Sequence, residues 1–440
     1  MINFLARLDR RTIEDVFWAD NDGRHIFSEP FTGLFGIIHP MKKINFASVV
    51  VACAAVPVFA ASTVGVFGDT PNAKHAWSVH DRNRPNPVKI SANAGSIPSD
   101  ATVLFDGTKE SFEKNWCDKN GKPAGWKLSE EGYFYSVPGW KNGGNIFSRQ
   151  SFGDCQLHIE FRHPKADGIV SGPKGPQMHG NSGVFLMNNY EVQVLESYGT
   201  NPADMKNPNY ADGQAGAVYA QNPPMVNPAR MPGEWQTYDI IFHQPVWDGI
   251  KLIHPASITV LFNGVVVQDH WEMDRFTTYK KRSSVTPHAA KLPLSFQDHG
   301  CEVHYRNIWI REIPSRYADR THGGPGVDEN AVMALRRETA AKLYAKIPKP
   351  AKPTIECMEA LGEVISYARE GEYVVTWQKI ANEFHDVLDK MTDAEWKANK
   401  KARMHLRDSL DTLIRNGVVT QKCGTRKRIN AAALRLGWEK

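Results

Sequence analysis

Alternating apolar and polar positions dominate the middle of the chain, between Ala101 and Ile313. The alternating runs are short, are separated by Gly, Pro, Asn and Asp, and cover residues 156–162, 190–195, 257–262, 265–268 and 303–311. A period of two residues predicts strands, and Asn263-Gly264 between two β-branched runs predicts a hairpin. Many short strands without helical patterns between them predict a mainly β, antiparallel jelly-roll sandwich over residues 99–315.

The pattern becomes helical after Pro314. Residues 316–353 are predicted to hold one helix, over 329–345, and a Pro-rich linker. Residues 354–440 are predicted to form a small helical C-terminal domain with helices at 355–369, 377–388 and 394–416. Part of this domain resembles a helix-turn-helix, and residues 418–429 could supply a wing, so a winged-helix-like domain is one interpretation.

A short apolar stretch near the start of the chain has the features of a secretory signal peptide. Met41, Lys42 and Lys43 precede the apolar run 44–59, and small residues follow it. The run is too short to span a bilayer comfortably. We therefore expect an upstream extension over 1–40, a signal peptide over 41–60 and a polar linker over 61–98.

The signal peptide predicts a periplasmic or secreted protein with no membrane attachment beyond the signal. A lipoprotein is less favoured, although residues 50–53 resemble a lipobox, because the residues after Cys53 are apolar. The alternative is a buried apolar segment of a cytosolic domain. No nucleotide cofactor is expected.

Charge is nearly balanced overall, with 53 Lys+Arg against 48 Asp+Glu, and this does not by itself indicate a nucleic-acid partner. The tail, however, is divided: residues 354–396 hold 3 basic and 10 acidic side chains, and residues 397–440 hold 12 basic and 3 acidic ones. A basic helix with a wing suits phosphate contacts. Because the signal peptide directs the chain out of the cytosol, we expect no nucleic acid. Two alternatives remain: the two halves face each other, or the domain docks another protein.

Alternation also sorts the polar residues of the strands by face. Leu157, Ile159 and Phe161 share one face, and the polar residues between them share the other. Glu191 and Gln193 form a second polar face, and Ser295, Gln297 and His299 a third. Such faces on one concave sheet would suit a sugar, whose hydroxyls need amide, carboxylate and guanidinium partners. The same alternation fits a sheet that turns its polar side to water.

The order of short motifs along this region is more specific than any one of them. The motifs are Leu104-Phe105-Asp106-Gly107-Thr108, Glu160-Phe161-Arg162, Gly180-Asn181-Ser182-Gly183, Tyr190-Glu191-Val192-Gln193, Gly216-Ala217-Val218-Tyr219, Gly233-Glu234-Trp235-Gln236, Gln297-Asp298-His299-Gly300 and Arg306-Asn307-Ile308-Trp309. Together, over residues 101–313, they resemble the 3-keto-disaccharide hydrolase domain family, which has a concanavalin/laminin-G-like jelly roll.

The resemblance implies cleavage of glycosides that are oxidised at sugar carbon 3. A ketone at C3 acidifies the hydrogen on C2, so that a base can remove it, the aglycone leaves from C1, and water then adds. A divalent cation could stabilise the enolate. The expected catalytic residues are His299 and Glu191, which are also the candidate ligands of one metal ion.

The expected sugar-binding residues are Glu160, Arg162, Asn181, Gln193, Gln297, Trp235 and His179. Two other classes remain open. One is a non-catalytic carbohydrate-binding jelly-roll protein, since the fold alone does not decide the chemistry. The other is a cytosolic DNA-binding regulator with a sugar-sensing domain.

Overall fold

The structure is a computed structural model, and it describes residues 68–93, 96–139, 143–165, 177, 179–199, 210–315, 321–323, 327–348 and 352–438. The chain divides into two units, 1–59 and 60–440, and every described residue belongs to the second. The predicted upstream extension and signal peptide lie outside the described residues. Within the described ranges, no helix is both long and apolar enough to cross a membrane.

The described residues form fifteen β-strands and seven α-helices. Strands β1 to β15 are, in order, Thr102–Phe105, Trp116–Cys117, Lys127–Leu128, Phe134–Tyr135, Ile146–Phe152, Cys155–Arg162, Ser182–Leu186, Tyr190–Val194, Gln236–His243, Val246–Asp248, Lys251–His254, Ala256–Phe262, Val265–Met273, Leu292–Phe296 and His304–Glu312. Helices α1 to α7 are Lys109–Asn115, Glu329–Tyr344, Ile355–Tyr367, Gly371–Asp389, Asp393–Ala398, Lys400–Arg415 and Gly424–Arg435.

Two antiparallel sheets enclose the main core. The eight-stranded sheet has the order β13-β12-β9-β6-β15-β4-β3, and β1 also pairs with β15; the five-stranded sheet has the order β2-β5-β14-β7-β8. Apolar side chains alternate inward along both sheets, and Phe296 of the smaller sheet stacks on Tyr305 of the larger one with ring centroids 4.6 Å apart. The prediction of a mainly β, antiparallel architecture is confirmed.

The predicted hairpin joins β12 to β13. Phe262 pairs with Val265, and both residues between them have positive φ angles, 51° at Asn263 and 78° at Gly264. A two-residue turn of this kind needs the left-handed backbone region at both positions, which Asn tolerates and Gly adopts freely. The turn fixes the register of both strands.

The C-terminal region is helical, as predicted, but the prediction of a wing that includes residues 424–429 is wrong. Residues Gly424–Arg435 form α7, and Ile429, Ala432 and Ala433 are buried at helical spacing. The continuous helix expected over 394–416 is interrupted at Asn399, so that α5 and α6 are separate.

The acidic and basic halves of this region face each other. Arg428 Nε donates to Asp389 Oδ1 at 2.7 Å, and Arg435 Nη2 lies 2.9 Å from Asp393 Oδ1. These pairs join α7 to the end of α4 and the start of α5. Two of the arginines that suggested phosphate contacts are therefore already bonded to carboxylates.

Part of the segment predicted as a linker, 61–98, is bonded to the helices. Asn83 Nδ2 donates to Glu363 Oε1 at 2.6 Å, and the Tyr367 hydroxyl donates to Asp81. The Trp77 ring meets the Tyr367 ring edge to face, with centroids 6.2 Å apart. Single side chains therefore anchor this segment, and such contacts leave no periodic pattern in the sequence.

Candidate functional site

A cavity of about 460 Å³ lies on the outer face of the five-stranded sheet. Val192 and Val194 of β8 are in the core, so the alternating residues Glu191 and Gln193 point to the opposite side. The cavity is lined by Gln177, Asn181, Phe185, Glu191, Gln193, Tyr210, Tyr219, Thr277, Thr278, Tyr279, Gln297 and His299. The structure thus brings together five residues that the sequence predicted: Glu191, His299, Asn181, Gln193 and Gln297.

Loops cover this polar face and shield it from water. Gln193 N donates to Ala217 O at 3.0 Å, and Tyr219 N donates to Glu191 O at 3.1 Å, so the segment after Tyr210 runs along the edge of β8. On the other side, Glu191 N donates to Thr277 Oγ1 at 3.0 Å. As a result Glu191 is only 3% exposed and Gln193 only 1%.

The Glu191 carboxyl is buried without a compensating charge. Among the described residues, its side chain makes no hydrogen bond and no ion pair, and burial raises its pKa to about 8. Burial has this effect because a desolvated carboxylate is less stable than the neutral acid. At neutral pH the group is therefore mainly a carboxylic acid that faces the cavity.

His299 follows β14 on a turn that Asp298 holds in place. Asp298 Oδ1 accepts from Gly300 N and Oδ2 from Gly144 N, both at 2.9 Å. Burial lowers the pKa of the His299 imidazole below its usual range, and the Asp298 charge only partly opposes this. The ring is therefore neutral at pH 7 and can accept a proton.

The amide side chains on the cavity wall form a connected chain. Gln193 Nε2 donates to Asn181 Oδ1 at 3.0 Å and to Val194 O at 3.1 Å, and Asn181 Nδ2 donates to Gln177 O at 2.7 Å. Since both N–H groups of Gln193 are engaged, its Oε1 is left to accept from a ligand hydroxyl. This preorganised amide row suits a sugar.

Several cavity residues were missed by sequence reasoning. Tyr210 and Thr277–Tyr279 come from loops, where no alternation marks which side chains face inward. The Tyr210 and Tyr219 hydroxyls lie 3.0 Å apart at the wall. In the sequence these loops show only a clustering of aromatic residues with Gly and Asn. That clustering does not indicate that the loop side chains lie beside β8.

Glu160, Arg162 and Trp235 do not join this cavity, although the sequence predicted them to. Glu160 and Arg162 lie on β6, in the eight-stranded sheet, and face away from the core. The Trp235 ring lies on the same outer face, with the Arg162 guanidinium 4.6 Å and the Arg306 guanidinium 4.0 Å from its centroid. The core of the sandwich therefore separates these three residues from Glu191.

The charges on that outer face are paired with one another. Burial opposes ionisation of Glu160, but hydrogen bonds with His158, Asn307 and Arg306 lower its pKa to about 2. Arg306 Nε donates to Glu160 Oε2 at 2.6 Å. These contacts fit the alternative of a sheet that turns its polar side to water, and the sugar-binding role of Glu160 and Arg162 stays a prediction.

His179 lies close in sequence to Asn181 but is not one of the cavity-lining residues. Its carbonyl oxygen accepts from Glu196 N at 2.9 Å, which ties its loop to the end of β8. Burial lowers the pKa of its imidazole. Its sugar-binding role stays a prediction.

Within the part of the chain that the structure describes, no group of three or more His, Cys, Asp or Glu side chains could hold a metal ion. In the cavity, Glu191 and His299 are the two side chains of these types. Two ligands of this kind are fewer than the three or four protein ligands of a zinc site. The divalent ion stays a prediction.

Comparison with known proteins supports a family assignment. The model of the 3-keto-alpha-glucoside-1,2-lyase-like domain matches residues 100–311. A predicted glycosyl hydrolase from Parabacteroides distasonis ATCC 8503, solved at 2.13 Å resolution, is 35% identical; the match covers 54% of this chain and 98% of that one, with a TM-score of 0.46. A second predicted glycosyl hydrolase from the same organism, solved at 1.70 Å, is 18% identical over 49% of this chain and 94% of that one, with a TM-score of 0.34.

A carbohydrate-binding module of Bacillus subtilis, CBM66, is 10% identical over 46% of this chain and 97% of that one, with a TM-score of 0.26. A search of curated proteins finds no match to the chain.

Proposed function

Because the chain belongs, through residues 100–311, to the 3-keto-alpha-glucoside-1,2-lyase-like domain family, we propose that it cleaves the glycosidic bond of glycosides oxidised at carbon 3. Membership of the family supports a carbohydrate-active, glycosidase-like domain in general. The specificity for a 3-keto sugar, and the sequence of elimination followed by hydration, are the proposal.

The observation that carries the proposal is a pair of titratable groups whose pKa values are moved in opposite directions within one cavity. Burial raises the pKa of Glu191 to about 8 and lowers that of His299 below its usual range. Groups separated in this way are ready to act as acid and base in the same turnover. At neutral pH the carboxyl holds its proton and the imidazole lacks one.

These protonation states assign the roles in the elimination step. Neutral His299 removes the proton from C2, which the C3 ketone has acidified, and the electron pair of that bond moves to form the C1=C2 double bond. The bond between C1 and the aglycone oxygen breaks, and the carboxylic acid of Glu191 gives its proton to that oxygen. The step leaves an imidazolium, a carboxylate, an unsaturated 3-keto sugar and the free aglycone.

Hydration returns both groups to their starting states. The Glu191 carboxylate takes a proton from water as the water oxygen bonds to C1, and the imidazolium of His299 gives its proton back to C2. The products are the free 3-keto sugar and the resting enzyme. The amide row of Gln193 and Asn181 binds sugar hydroxyls and holds C2 towards the imidazole.

The test compares a 3-keto-glucoside with its unoxidised parent glucoside, and measures release of the aglycone. We expect release from the 3-keto-glucoside alone, and a loss of about a hundredfold or more in Glu191→Gln and in His299→Gln, the usual scale for a lost acid or base. Glu131→Gln is the matched control, because Glu131 is exposed and lies beside Arg162 on the other sheet. It should keep the normal rate.

Other outcomes would change the conclusion. Release from the parent alone would indicate an ordinary glycosidase. Binding of sugar without release from either compound would support the carbohydrate-binding alternative. Near-normal rates in both variants would place the acid and base elsewhere.

A further inference from the structure

A second cavity, of about 390 Å³, is lined by residues outside the β-sandwich, and two of them are arginines. Arg336 comes from α2, Arg369 follows α3, and Asn416 follows α6. Residues 69–72, from the segment bonded to the helices, complete the wall. Four segments that are distant in sequence thus meet around two positive charges.

Arg336 is buried without a counter-charge. The residue is only 9% exposed, and its Nε donates to Tyr367 O at 2.8 Å. Among the described residues, its two terminal nitrogens have no hydrogen-bond partner and it forms no ion pair. Burial and the nearby charge of Arg369 both lower its pKa. A buried arginine is normally matched by a carboxylate or another anion.

Arg369 does not relieve this imbalance. Its side chain forms no ion pair within the described ranges, whereas the neighbouring Arg337 pairs with Glu370. Asp69 is the one acidic residue of the cavity wall. Asp69 is exposed and pairs with neither arginine in the described part of the chain. The cavity therefore brings two guanidinium groups together, and among the described residues neither has an acidic partner.

We propose that this cavity binds a small oxyanion, a phosphate, sulfate or carboxylate group, between the guanidiniums of Arg336 and Arg369. The planar guanidinium presents paired N–H donors that match two oxygens of such a group. Neutral donors are available beside it: Asn72 uses its Oδ1 to accept from Lys74 N at 2.9 Å, which leaves its amide N–H groups for a ligand. Thr70 adds a hydroxyl to the same wall.

Binding would also join the four segments. An anion that contacts both arginines and residues 70–72 connects α2 and α3 to the N-terminal segment, so bound anion should stabilise the folded protein by mass action. This site is independent of the proposed reaction, and its test needs no substrate.

The experiment titrates sodium phosphate, sodium sulfate and sodium acetate into the full chain by calorimetry, at constant ionic strength set with sodium chloride. We expect saturable binding of at least one of these oxyanions, and a melting temperature that rises with its concentration. Arg369→Gln should weaken that binding about tenfold or more, the scale of a lost charged hydrogen bond. Arg337→Gln is the control, since Arg337 lies next to Arg336 in α2 but pairs with Glu370.

Arg369 is exposed, so its substitution should leave the fold intact, as the far-ultraviolet circular dichroism spectrum can verify. Preference for phosphate and sulfate would identify a tetrahedral anion, and preference for acetate a carboxylate; both support the site. No saturable binding of any of the three would overturn the proposal. Equal affinity in the Arg369 and Arg337 variants would overturn it as well.

Discussion

Gly183 on β7 lies so close to the carboxyl of Glu191 on β8 that a Cβ atom added at Gly183 would be 2.2 Å from Glu191 Oε1. The same atom would lie 2.9 Å from the Phe185 ring. The space that holds the buried carboxyl therefore exists because residue 183 has no side chain. Gly183 appears in the sequence as part of a short Gly-Asn-Ser-Gly motif, and this contact gives that glycine a physical role.

Gly183→Ala should lower the turnover number about tenfold or more, because the new methyl group must displace the Glu191 carboxyl. It should also reduce the free energy of unfolding by about 1–3 kcal/mol, the usual cost of overpacking. Turnover of a 3-keto-glucoside and urea denaturation measure the two effects. Gly371→Ala is the control, since a Cβ there meets no atom within 4 Å; equal rates in both variants would contradict the assignment.

The pH dependence of kcat/KM should be bell-shaped. Activity should fall on the acid side, at a pH below the ordinary imidazole range because burial lowers the pKa of His299, since the protonated ring can no longer accept a proton. It should fall again as the pH rises through about 8, because Glu191 loses the proton that it gives to the leaving group. Initial rates at low substrate concentration measure the profile. Activity that instead increases through pH 8 would show that Glu191 is the base and reverse the two roles.

Glu191→Gln should make the protein more stable while it lowers turnover about a hundredfold or more. In the unfolded chain Glu191 ionises near pH 4.5, and in the folded protein near pH 8. Between these values the unfolded state binds fewer protons than the folded one, so the free energy of unfolding of the wild type falls as the pH rises. The advantage of the glutamine variant should grow by up to about 1.4 kcal/mol per pH unit in this window.

Urea denaturation of wild type and variant at pH 5, 6, 7 and 8 measures this growth. The exposed Glu131→Gln should show no comparable increase. A pH-independent difference between Glu191→Gln and the wild type would mean that the Glu191 carboxyl is not desolvated.

Asp298→Ala should lower the turnover number about tenfold through His299. The Asp298 carboxylate accepts from Gly300 N and Gly144 N, and these bonds fix the turn that carries the imidazole. Asp298→Asn keeps one oxygen acceptor, which can satisfy only one of the two backbone N–H groups, and should therefore recover part of the rate. Steady-state kinetics of the two variants provide the measurement; equal losses in both would show that the negative charge matters rather than the turn.

The sequence predicted a large part of this site because β8 alternates strictly. Once Val192 and Val194 are placed in a core, Glu191 and Gln193 must share the other face. Alternation gives the two faces of a strand, but not the sheet to which the strand belongs. For that reason the polar face of β6, with Glu160 and Arg162, was predicted at the cavity although it lies on the opposite side of the sandwich.

Other parts of the structure depend on contacts between distant residues, which the local alternation of apolar and polar positions does not predict. Tyr210 and Tyr279 reach the cavity from loops, and their positions follow from how the loops cross β8. Residues 424–429 were predicted as a wing, but the spacing of Ile429, Ala432 and Ala433 favours a helix that buries one face. The segment around Asp81 and Asn83 is polar, as a linker would be, and its order comes from hydrogen bonds to α3.

The contacts of Trp77 and Asp81 with Tyr367 predict how a shortened chain behaves. Tyr367 of α3 is 1% exposed, and Trp77 and Asp81 contact it. A proteolytic fragment that retains the helices but has lost residues 68–93 would expose the Tyr367 side chain. We expect such a fragment to aggregate more readily than the full chain.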